Sequence, residues 1–495
     1  MTLQDYTYPK FSLPGAEKSF LASHSTIYDY SNLYGFCSKF KDIKKEYSIT
    51  QDRPLALLSK SSDELTFLIA ACYLLKIPFV AMNPELTDNE LQRQTNLIKP
   101  GVFFADEENR WRVKEYKSIR IHSDDLNLIA SGNSISSPSS DPDERFGYFF
   151  TSGSSGNPKI VPLKRRQIQF AAAASATNFK PDNDRFWLLC LPLNHIGGIS
   201  IILRSILYHS AIFRMDRFDE HQIRTFLSEN RLFQVASLVP TMLLRLLEDP
   251  LFQLHLDFKA LLLGGGPVPD GLIEQSLERG IPIVSSYGMT ETCAQIAANP
   301  ILQPRGMYYP KKSVGVIFEP NQIQIRDPDT GEVQPKNEVG QIWLKGPQVI
   351  DEYLDSALNT RSFDTDGWFN TGDIGRLNHQ KQLFLKSRRM DLIITGGENV
   401  DPVEVESILE QLDGVQKSAV LGVKDPKWGQ RVVALLEVPN SSNFNSATLP
   451  TELKSRLSGY KIPKEYIIVN KIPVTSLGKT KRDLLFELYR KHSVR

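Results

Sequence analysis

The chain has 495 residues, of which 41% are hydrophobic and 23% charged, a balance typical of a soluble protein with two to four domains. Its 58 basic and 57 acidic residues leave a formal net charge of +1, which argues against a general nucleic-acid or membrane-surface binder. A basic run at residues 164–166 is typical of a solvated helix start rather than of a polyanion site.

The four cysteines are scattered and form no C-x-x-C pair. This argues against a structural zinc site or a disulfide scaffold and favours a reducing, cytoplasmic setting. The first residues are polar and do not resemble a signal peptide. The longest apolar run, residues 67–75, is too short to span a bilayer and predicts a buried helix.

Short apolar segments alternate with helical patterns through the first half of the chain. Residues 54–82 predict strand, helix, strand, and Ser62 is a plausible helix cap. Further strands are predicted at residues 186–191, 211–214, 234–238, 260–263 and 281–285. This alternation is typical of βαβ units and of an α/β fold with largely parallel sheets.

A low-complexity linker at residues 131–143 precedes a loop rich in glycine and serine at residues 151–159. Gly153 and Gly156 let backbone N–H groups approach a ligand, and Lys159 adds a positive charge. Convergent donors with positive charge suit a polyphosphate, although the spacing is not that of a Walker loop. A flexible loop is the alternative that the composition leaves open.

Three later segments carry polar groups in suggestive positions. Three glycines at residues 264–266 follow a predicted strand and leave bare backbone on which a flat ligand could lie. Residues 285–291 combine an aromatic ring, a glycine, a hydroxyl and a carboxylate, and Asp373 offers a carboxylate that suits ribose hydroxyls. Taken alone, the glycines are also consistent with a tight turn, and the other two segments are typical of an ordinary strand end and an ordinary turn.

The final third changes character. Strand and turn signals at residues 313–386 predict a small β-rich subdomain. After residue 387 the pattern is α+β, with a helix beginning near Pro402, a strand at residues 417–423 and a basic stretch at 479–482. We therefore expect a large N-terminal α/β domain over residues 1–386, which includes that subdomain, and a small C-terminal α+β domain over 387–495.

Five segments stand out along the chain: residues 151–159, 287–291, 368–373, 388–397 and 473–479. Their order and approximate spacing are those of the acyl-adenylate-forming (AMP-binding) enzyme family, which the chain therefore resembles. Within the family it is most similar to the o-succinylbenzoate–CoA ligase branch of menaquinone biosynthesis. The segments that carry this closer resemblance are residues 184–195, 261–267, 286–295, 396–406 and 427–429.

The resemblance implies an ATP-dependent acid–CoA ligase that first forms an acyl-AMP and then an acyl-CoA thioester. The enzyme would bind a carboxylic acid, ATP, CoA and Mg²⁺. The resemblance implies no nucleic-acid partner and no membrane span, and it is compatible with either a monomer or a homo-oligomer. The alternatives are a CoA ligase for another aryl or fatty acid, or a nucleotide-binding protein without ligase activity.

The resemblance also implies roles for individual residues. Thr290 would hold the α-phosphate, Glu291 the Mg²⁺ ion, and Lys479 the acyl and α-phosphate oxygens during adenylation, while His195 would line the acyl pocket. The residues implied to contact ATP are Thr151, Ser152, Gly153, Ser154, Ser155, Gly156 and Lys159 at the β- and γ-phosphates, Gly264, Gly265, Gly266 and Tyr287 at the adenine, and Asp373 and Arg388 at the ribose. The resemblance further implies that the C-terminal domain is mobile, with a hinge near residues 388–391, and that Gly396 and Gly397 line a tunnel for the pantetheine of CoA.

Three positions depart from the family pattern. Ile160 stands where the family loop usually continues with glycine. Asn194 and Gly197 flank His195 where the branch usually has Phe and Ser, which removes one hydroxyl donor for the substrate. Arg204 and Arg214 are candidate partners for a substrate carboxylate by charge alone.

Overall fold

A computed structural model describes residues 15–24, 26–130, 141–151, 158–179, 181–182, 185–266, 268–302, 313–387, 392–438, 444–473 and 484–493. The chain divides into two compact units. The first comprises Met1–Pro84, Ile98–Phe149 and Ile160–Lys386, and the second comprises Glu85–Leu97, Phe150–Lys159 and Ser387–Arg495. The predicted linker at residues 131–143 falls mostly outside the described residues.

The first part of the chain forms a six-stranded sheet with order β6-β5-β3-β4-β7-β8, in which the four neighbouring pairs from β6 to β7 are parallel. The elements of this part are β1 (Ser19–Ala22), β2 (Ile27–Asp29), α1 (Tyr30–Phe40), α2 (Ile43–Glu46), β3 (Leu55–Leu58), α3 (Asp63–Leu74), β4 (Phe79–Met82), α4 (Asp88–Ile98), β5 (Val102–Ala105), β6 (Ser118–Ile119), β7 (Arg145–Thr151) and β8 (Lys159–Lys164).

The predicted strand–helix–strand unit at residues 54–82 is confirmed by β3, α3 and β4. Ser62 caps α3, since its hydroxyl accepts a hydrogen bond of 3.1 Å from the Leu65 backbone N–H. The side chains of β3 and β4 are all buried, as expected for parallel strands covered on both faces. Every residue of α3 from Leu65 onward is buried too, so the apolar run at 67–75 lies in a core helix.

The middle of the chain continues the alternation of helices and strands. Its elements are α5 (Arg165–Phe179), β9 (Phe186–Leu189), α6 (Ile196–Tyr208), β10 (Ala211–Arg214), α7 (Glu220–Glu229), β11 (Phe233–Leu238), α8 (Pro240–Leu247), β12 (Ala260–Leu263), α9 (Asp270–Glu278), β13 (Ile283–Met289) and β14 (Ala294–Ala298). The predicted α/β class with parallel sheets is confirmed, because β10, β9, β11, β12 and β13 pair in parallel.

This parallel arrangement positions the site. The loops that follow β9, β11, β12 and β13 all leave the same edge of the sheet, because the carboxyl ends of parallel neighbours coincide. Ligands of open α/β sheets bind at that edge. His195 follows β9, the three glycines follow β12, and Thr290 follows β13.

The β-rich character predicted for residues 313–386 is also present. Its elements are β15 (Ser313–Ile317), β16 (Gln322–Arg326), β17 (Gly340–Lys345), α10 (Ser356–Ser362), β18 (Phe369–Leu377) and β19 (Gln382–Ser387). These strands do not form a separate sheet. They extend the parallel strands along one path of order β16-β17-β18-β19-β15-β14-β13-β12-β11-β9-β10-β1-β2, and the direction changes where β13 pairs antiparallel with β14.

The C-terminal segment is α+β. Its elements are β20 (Ile393–Thr395), β21 (Glu398–Val400), α11 (Pro402–Leu409), β22 (Lys417–Asp425), β23 (Gly429–Glu437), α12 (Leu449–Leu453), β24 (Glu465–Val469) and α13 (Leu485–Ser493). β22 and β23 pair antiparallel over nine residues, and apolar residues of α11 and α12 share a core with them. The predicted helix near Pro402 and strand at 417–423 are thus confirmed.

A buried ionic network lies inside the second unit. The Lys461 ammonium contacts Glu90 Oε1 at 2.7 Å and Glu404 Oε1 at 2.9 Å, and the Ser458 hydroxyl donates to Glu90 Oε2 at 2.7 Å. Glu90 belongs to α4, whose Asn89 also donates to the Ser455 carbonyl at 3.1 Å. The segment at residues 85–97 is therefore held to the C-terminal segment by an ion pair and by hydrogen bonds.

The basic run at residues 164–166 starts a helix, as predicted, but it is not solvated. Arg165 and Arg166 are buried at the start of α5. Arg165 pairs with Glu144 at 3.1 Å, and Arg166 pairs with Asp143 at 3.1 Å and with Asp351. Buried arginines need such partners, and sequence spacing does not reveal carboxylates that lie this far away in the chain.

None of the helices in the described residues has the length and the apolar composition that a membrane span requires.

Candidate active site

The turn after β13 holds two of the predicted catalytic residues. Thr290 and Glu291 form a single 3₁₀ turn with Thr292, directly after the strand ends at Met289. Glu291 is about nine-tenths buried, and its Oε1 accepts a hydrogen bond of 2.7 Å from the Tyr353 hydroxyl. The Ile350 backbone N–H donates to the Glu291 carbonyl at 3.0 Å. Both the backbone and the side chain of Glu291 are thus fixed by one neighbouring segment.

The backbone that follows this turn is strained. Cys293 and Ala294 both have left-handed φ values, of 51° and 72°, which non-glycine residues rarely adopt in succession. Such strain persists only where the surrounding structure holds it, and it concentrates at functional sites. Gly288 allows the fold, because a Cβ there would lie 1.8 Å from the Ala294 carbonyl oxygen.

Asp373 and Tyr287 meet across the sheet of the first unit. The Tyr287 hydroxyl donates to Asp373 Oδ2 at 2.7 Å, and both side chains are almost fully buried. The Asp373 backbone N–H donates to the Thr371 hydroxyl at 3.1 Å, which orients this part of β18. The two residues implied to hold ribose and adenine therefore lie together, although they are 86 positions apart.

The glycine turn after β12 is tight. Gly264 donates its N–H to the Leu238 carbonyl at 3.3 Å, and Gly265 has a φ of 74°, a conformation that strongly favours glycine. A Cβ at Gly264 would lie 3.1 Å from the Ser286 hydroxyl. Gly266 ends the described part of the turn and is half-buried. Because all three residues are glycines, none of their own side chains covers this stretch of backbone.

The two described ends of the predicted phosphate loop lie in the second unit. Thr151 ends β7, and its hydroxyl is buried with no hydrogen-bond partner in the residues described. Lys159 begins β8 and is 6% exposed. A buried hydroxyl that lacks a protein partner suits a ligand oxygen. Ser152, Gly153, Ser154, Ser155 and Gly156 lie outside the described residues.

His195 occupies the N-cap of α6 and is half-buried. Its Nε2 lies 3.1 Å from Asn194 Nδ2, so the departure at position 194 contacts the histidine ring directly. A Cβ added at Gly197 would meet only Leu191 Cδ1, at 3.8 Å, whereas one at Gly198 would lie 2.4 Å from the Pro192 carbonyl. The space of the missing serine is therefore open at 197.

The two arginines that were candidate partners for a substrate carboxylate, Arg204 and Arg214, have different environments in the structure. Arg214 is committed to the fold, because it pairs with Asp63 at 2.5 Å and with Asp216 at 2.6 Å. Arg204, on α6, is 3% exposed and stacks over the Trp187 ring at 5.1 Å. Within the described ranges it has no carboxylate in ion-pair distance. Burial lowers its pKa to about 10, so it remains charged at neutral pH.

Arg204 also lies near residues 290–295, which we call the catalytic turn because the resemblance predicts catalytic roles for Thr290 and Glu291. Its charge opposes the effect of burial on the pKa of the Cys293 thiol, which still rises to about 12. Cys293 follows Thr290 and Glu291 by two or three residues. A buried cation that has no carboxylate neighbour among the described residues, close to this turn, is the feature expected where an anionic substrate group binds.

A magnesium ion fits the turn by its donor chemistry. The Glu291 carboxylate and the Thr290 hydroxyl are hard oxygen ligands. The described residues contain no cluster of three or more His, Cys, Asp or Glu side chains that could hold a metal ion. One carboxylate together with substrate phosphates is a common way to bind Mg²⁺.

Two other predicted residues, Arg388 and Lys479, and the predicted hinge at 388–391 lie outside the described residues. In the second unit, the Gly396 N–H donates to the Trp428 carbonyl at 2.8 Å. A Cβ at Gly396 would lie 2.9 Å from Trp428 Cε3, so the glycine lets this ring pack against the backbone.

Sequence reasoning missed Tyr353 and Gln348, which both contact the catalytic turn. The Gln348 side chain, fully buried, donates to the carbonyls of Thr292 at 2.7 Å and of Gln295 at 2.5 Å. The only signal in the sequence for such a role is that Gln348 is a polar residue inside the apolar stretch that follows β17. Nothing in the sequence indicates which carbonyls it reaches.

Comparison with known proteins gives a consistent result. The model of the AMP-binding enzyme family matches residues 18–354, and that of the AMP-binding enzyme C-terminal domain matches 404–479. The 2-succinylbenzoate–CoA ligase of Enterococcus faecalis is 35% identical over 434 residues, which cover 87% of each chain.

Two solved structures of o-succinylbenzoate CoA synthetase (MenE) from Bacillus subtilis are similar over most of this chain. A double mutant bound to the product analogue OSB-NCoA has a TM-score of 0.86 and 30% identity, and covers 95% of this chain and 96% of its own. A complex with ATP and a magnesium ion has a TM-score of 0.68 and 29% identity, and covers 95% and 97%.

Proposed function

The chain belongs to the AMP-binding enzyme family, and from that premise we propose that it is an ATP-dependent o-succinylbenzoate–CoA ligase. It activates the acid as an acyl-AMP with release of pyrophosphate, and then transfers the acyl group to the thiol of CoA. The proposal is supported by the turn at Thr290 and Glu291 and by the Tyr287–Asp373 pair in the same unit.

In the first half-reaction a substrate carboxylate oxygen attacks the α-phosphorus of ATP, and the bond to pyrophosphate breaks. Negative charge gathers on the α-phosphoryl oxygens, so donors must be in place beforehand. We assign this task to the Thr290 hydroxyl and Lys479. Mg²⁺, when bound at Glu291, neutralises phosphate charge.

Recognition of the nucleoside falls to three parts of the first unit: β18, β13 and the glycine turn after β12. Asp373 accepts hydrogen bonds from the ribose hydroxyls, and Tyr287, which donates to the same carboxylate, holds it in place while its ring borders the adenine. The glycine turn at residues 264–266 offers the opposite, bare surface. In the second half-reaction the CoA sulfur attacks the acyl carbon and AMP leaves with its phosphate.

The observation that carries the choice of acid is the buried, charged Arg204. A second carboxylate on the substrate, absent from benzoate or a fatty acid, would pair with this guanidinium. His195 and Asn194 lie at the start of the same helix and contribute polar contacts.

The reaction is tested by measuring pyrophosphate release with a panel of carboxylic acids. We expect turnover with o-succinylbenzoate and at most weak turnover with benzoate and fatty acids. Strong turnover of a monocarboxylic acid with none of o-succinylbenzoate would favour the ligase for another acid, and no turnover with any acid would favour a nucleotide-binding protein.

The role of Arg204 is tested by Arg204→Met. We expect kcat/KM for o-succinylbenzoate to fall about 100-fold or more, the size seen when one partner of a buried charge pair is removed. The melting temperature should stay level or rise, because the variant removes a buried charge that has no carboxylate neighbour in the described ranges. Arg217→Met, at an exposed position, is the control. A large loss of stability with unchanged substrate preference would assign Arg204 to the fold instead.

We further propose that the enzyme works in the cytoplasm. All four cysteines are free and buried, and ATP and CoA are cytoplasmic substrates. A homo-oligomer remains open to measurement by light scattering.

A further inference from the structure

The segment between β17 and α10, residues 346–354, has no regular secondary structure, yet most of it is buried. We call it the connecting segment. It contacts the catalytic turn on one side and the start of α5 on the other. Each contact is a hydrogen bond or an ion pair between described residues of the first unit.

Three contacts reach the catalytic turn. Gln348 donates through its side-chain amide to the carbonyls of Thr292 and Gln295, which bracket the two strained residues. Ile350 donates to the Glu291 carbonyl, and Tyr353 donates to the Glu291 carboxylate. The strained turn is therefore held at its start, at its end and at its functional side chain.

Gln348 is itself held in place by two hydrogen bonds to Asn321. Its Oε1 accepts from Asn321 Nδ2 at 3.3 Å, and its backbone N–H donates to Asn321 Oδ1 at 3.2 Å. The amide can therefore not rotate without losing several hydrogen bonds at once. Since a glutamine amide has two N–H donors, its two bonds to the turn use its full donor capacity.

The other side of the connecting segment is fixed to the structure that follows the phosphate loop. Asp351 pairs with Lys164 at 2.6 Å and with Arg166, and Gln167 donates to the Val349 carbonyl at 2.9 Å. Leu354 donates its N–H to the Ile160 carbonyl at 3.1 Å. One segment thus sets the position of Glu291 relative to β8.

We infer that the connecting segment positions Glu291 for metal–nucleotide binding, with Gln348 and Tyr353 as positioning residues that do not touch the substrate. The inference rests on the proposed function for the identity of the ligand. Its physical basis is that a left-handed turn relaxes when its hydrogen bonds are removed, and Glu291 then loses its fixed direction.

The test is Mn²⁺ binding in the presence of a non-hydrolysable ATP analogue, followed by electron paramagnetic resonance. In Gln348→Met, which keeps the volume and removes both donors, we expect the dissociation constant of Mn²⁺ to rise about tenfold. Tyr353→Phe should act in the same direction, and it tests the inference independently if Gln348→Met does not fold. Glu291→Gln is the reference for loss of the metal ligand.

Asn299→Leu is the matched control. Asn299 is a buried carboxamide directly after β14 that donates to the Ser313 carbonyl at 2.8 Å, and in the described part of the chain its side chain makes no hydrogen bond to the catalytic turn. We expect it to lower the melting temperature while Mn²⁺ binds as in the unaltered protein. Equal weakening of Mn²⁺ binding in Asn299→Leu, or normal binding in both Gln348→Met and Tyr353→Phe, would overturn the inference.

A second readout separates positioning from general damage. Pyrophosphate formation should need about tenfold more Mg²⁺ in Gln348→Met, while thioester formation from pre-made acyl-AMP should stay within about twofold. If the unaltered protein binds Mn²⁺ with the nucleotide but activates no acid, the proposed function fails and the inference is still decided by the binding data.

Discussion

Gly197 offers a direct test of how the acid is held. Its position in the first turn of α6 has room for a side chain, since the nearest atom to an added Cβ is Leu191 Cδ1 at 3.8 Å. We expect Gly197→Ser to fold normally and to lower the KM for o-succinylbenzoate at least about tenfold, since one hydrogen bond to a charged group contributes about 1.5–3 kcal/mol. Steady-state kinetics with varied acid measures this.

Gly198→Ser is the matched comparison for that variant. Its Cβ would lie 2.4 Å from the Pro192 carbonyl, so the loop that carries His195 would have to shift. We expect lost stability and weaker activity. If Gly197→Ser left the KM unchanged or raised it, the missing hydroxyl would have no part in substrate binding.

The elements of the second unit are joined by the charge network around Lys461. Burial opposes ionisation of Glu90, but the Lys461 ammonium and the hydrogen bonds from Lys461 and Ser458 outweigh it and hold the pKa of Glu90 below its usual range. Burial likewise opposes the charge of Lys461, yet Glu404 and Glu90 raise its pKa. The stabilisation from Glu90 is present above the carboxyl's unfolded pKa and is lost in acid. That from Lys461 is present below the unfolded lysine pKa and is lost only in strong alkali.

We therefore expect Lys461→Met to destabilise the protein by about 3–5 kcal/mol at neutral pH, because it leaves the buried Glu90 and the partly buried Glu404 without their cation. Urea unfolding measures the change. Lys464→Met, an exposed lysine of the same loop, should change stability by at most about 0.5 kcal/mol. Similar small effects for both variants would mean that the network contributes little.

Elements with local signals could be predicted from the sequence. The strand–helix–strand unit at residues 54–82 shows its apolar pattern and its Ser62 cap within thirty residues, and the later parallel strands show the same alternation of apolar and helical segments. Contacts between residues that are distant in the sequence could not be predicted. The burial of Arg166 depends on Asp351, and the orientation of Glu291 depends on Tyr353, partners that no periodicity connects. Motif resemblance brought Tyr287 and Asp373 to one site, while Gln348 has no motif of its own.

For the whole molecule, the central prediction concerns Lys479. The family resemblance assigns it to adenylation alone, which requires the C-terminal domain proposed for residues 387–495 to move between the two half-reactions. We expect Lys479→Ala to lower pyrophosphate formation about 100-fold or more, the range for losing one charge-stabilising donor. Thioester formation from pre-made acyl-AMP should suffer much less.

Lys471→Ala, at an exposed position shortly before it, is the control for that experiment. It should leave both half-reactions close to normal. Equal damage to both half-reactions in Lys479→Ala would argue against the alternation of domains and in favour of a general role for the lysine.

The second unit draws its residues from three separate stretches of the chain, and Glu90 comes from the first of them. A ribosome makes this glutamate some 370 residues before its partner Lys461. The unit therefore cannot complete its ionic core until synthesis is almost finished. A fragment that begins at residue 387 would keep Lys461 and Glu404 but lack Glu90, so this unit cannot be excised, or exchanged between relatives, as one continuous piece of sequence.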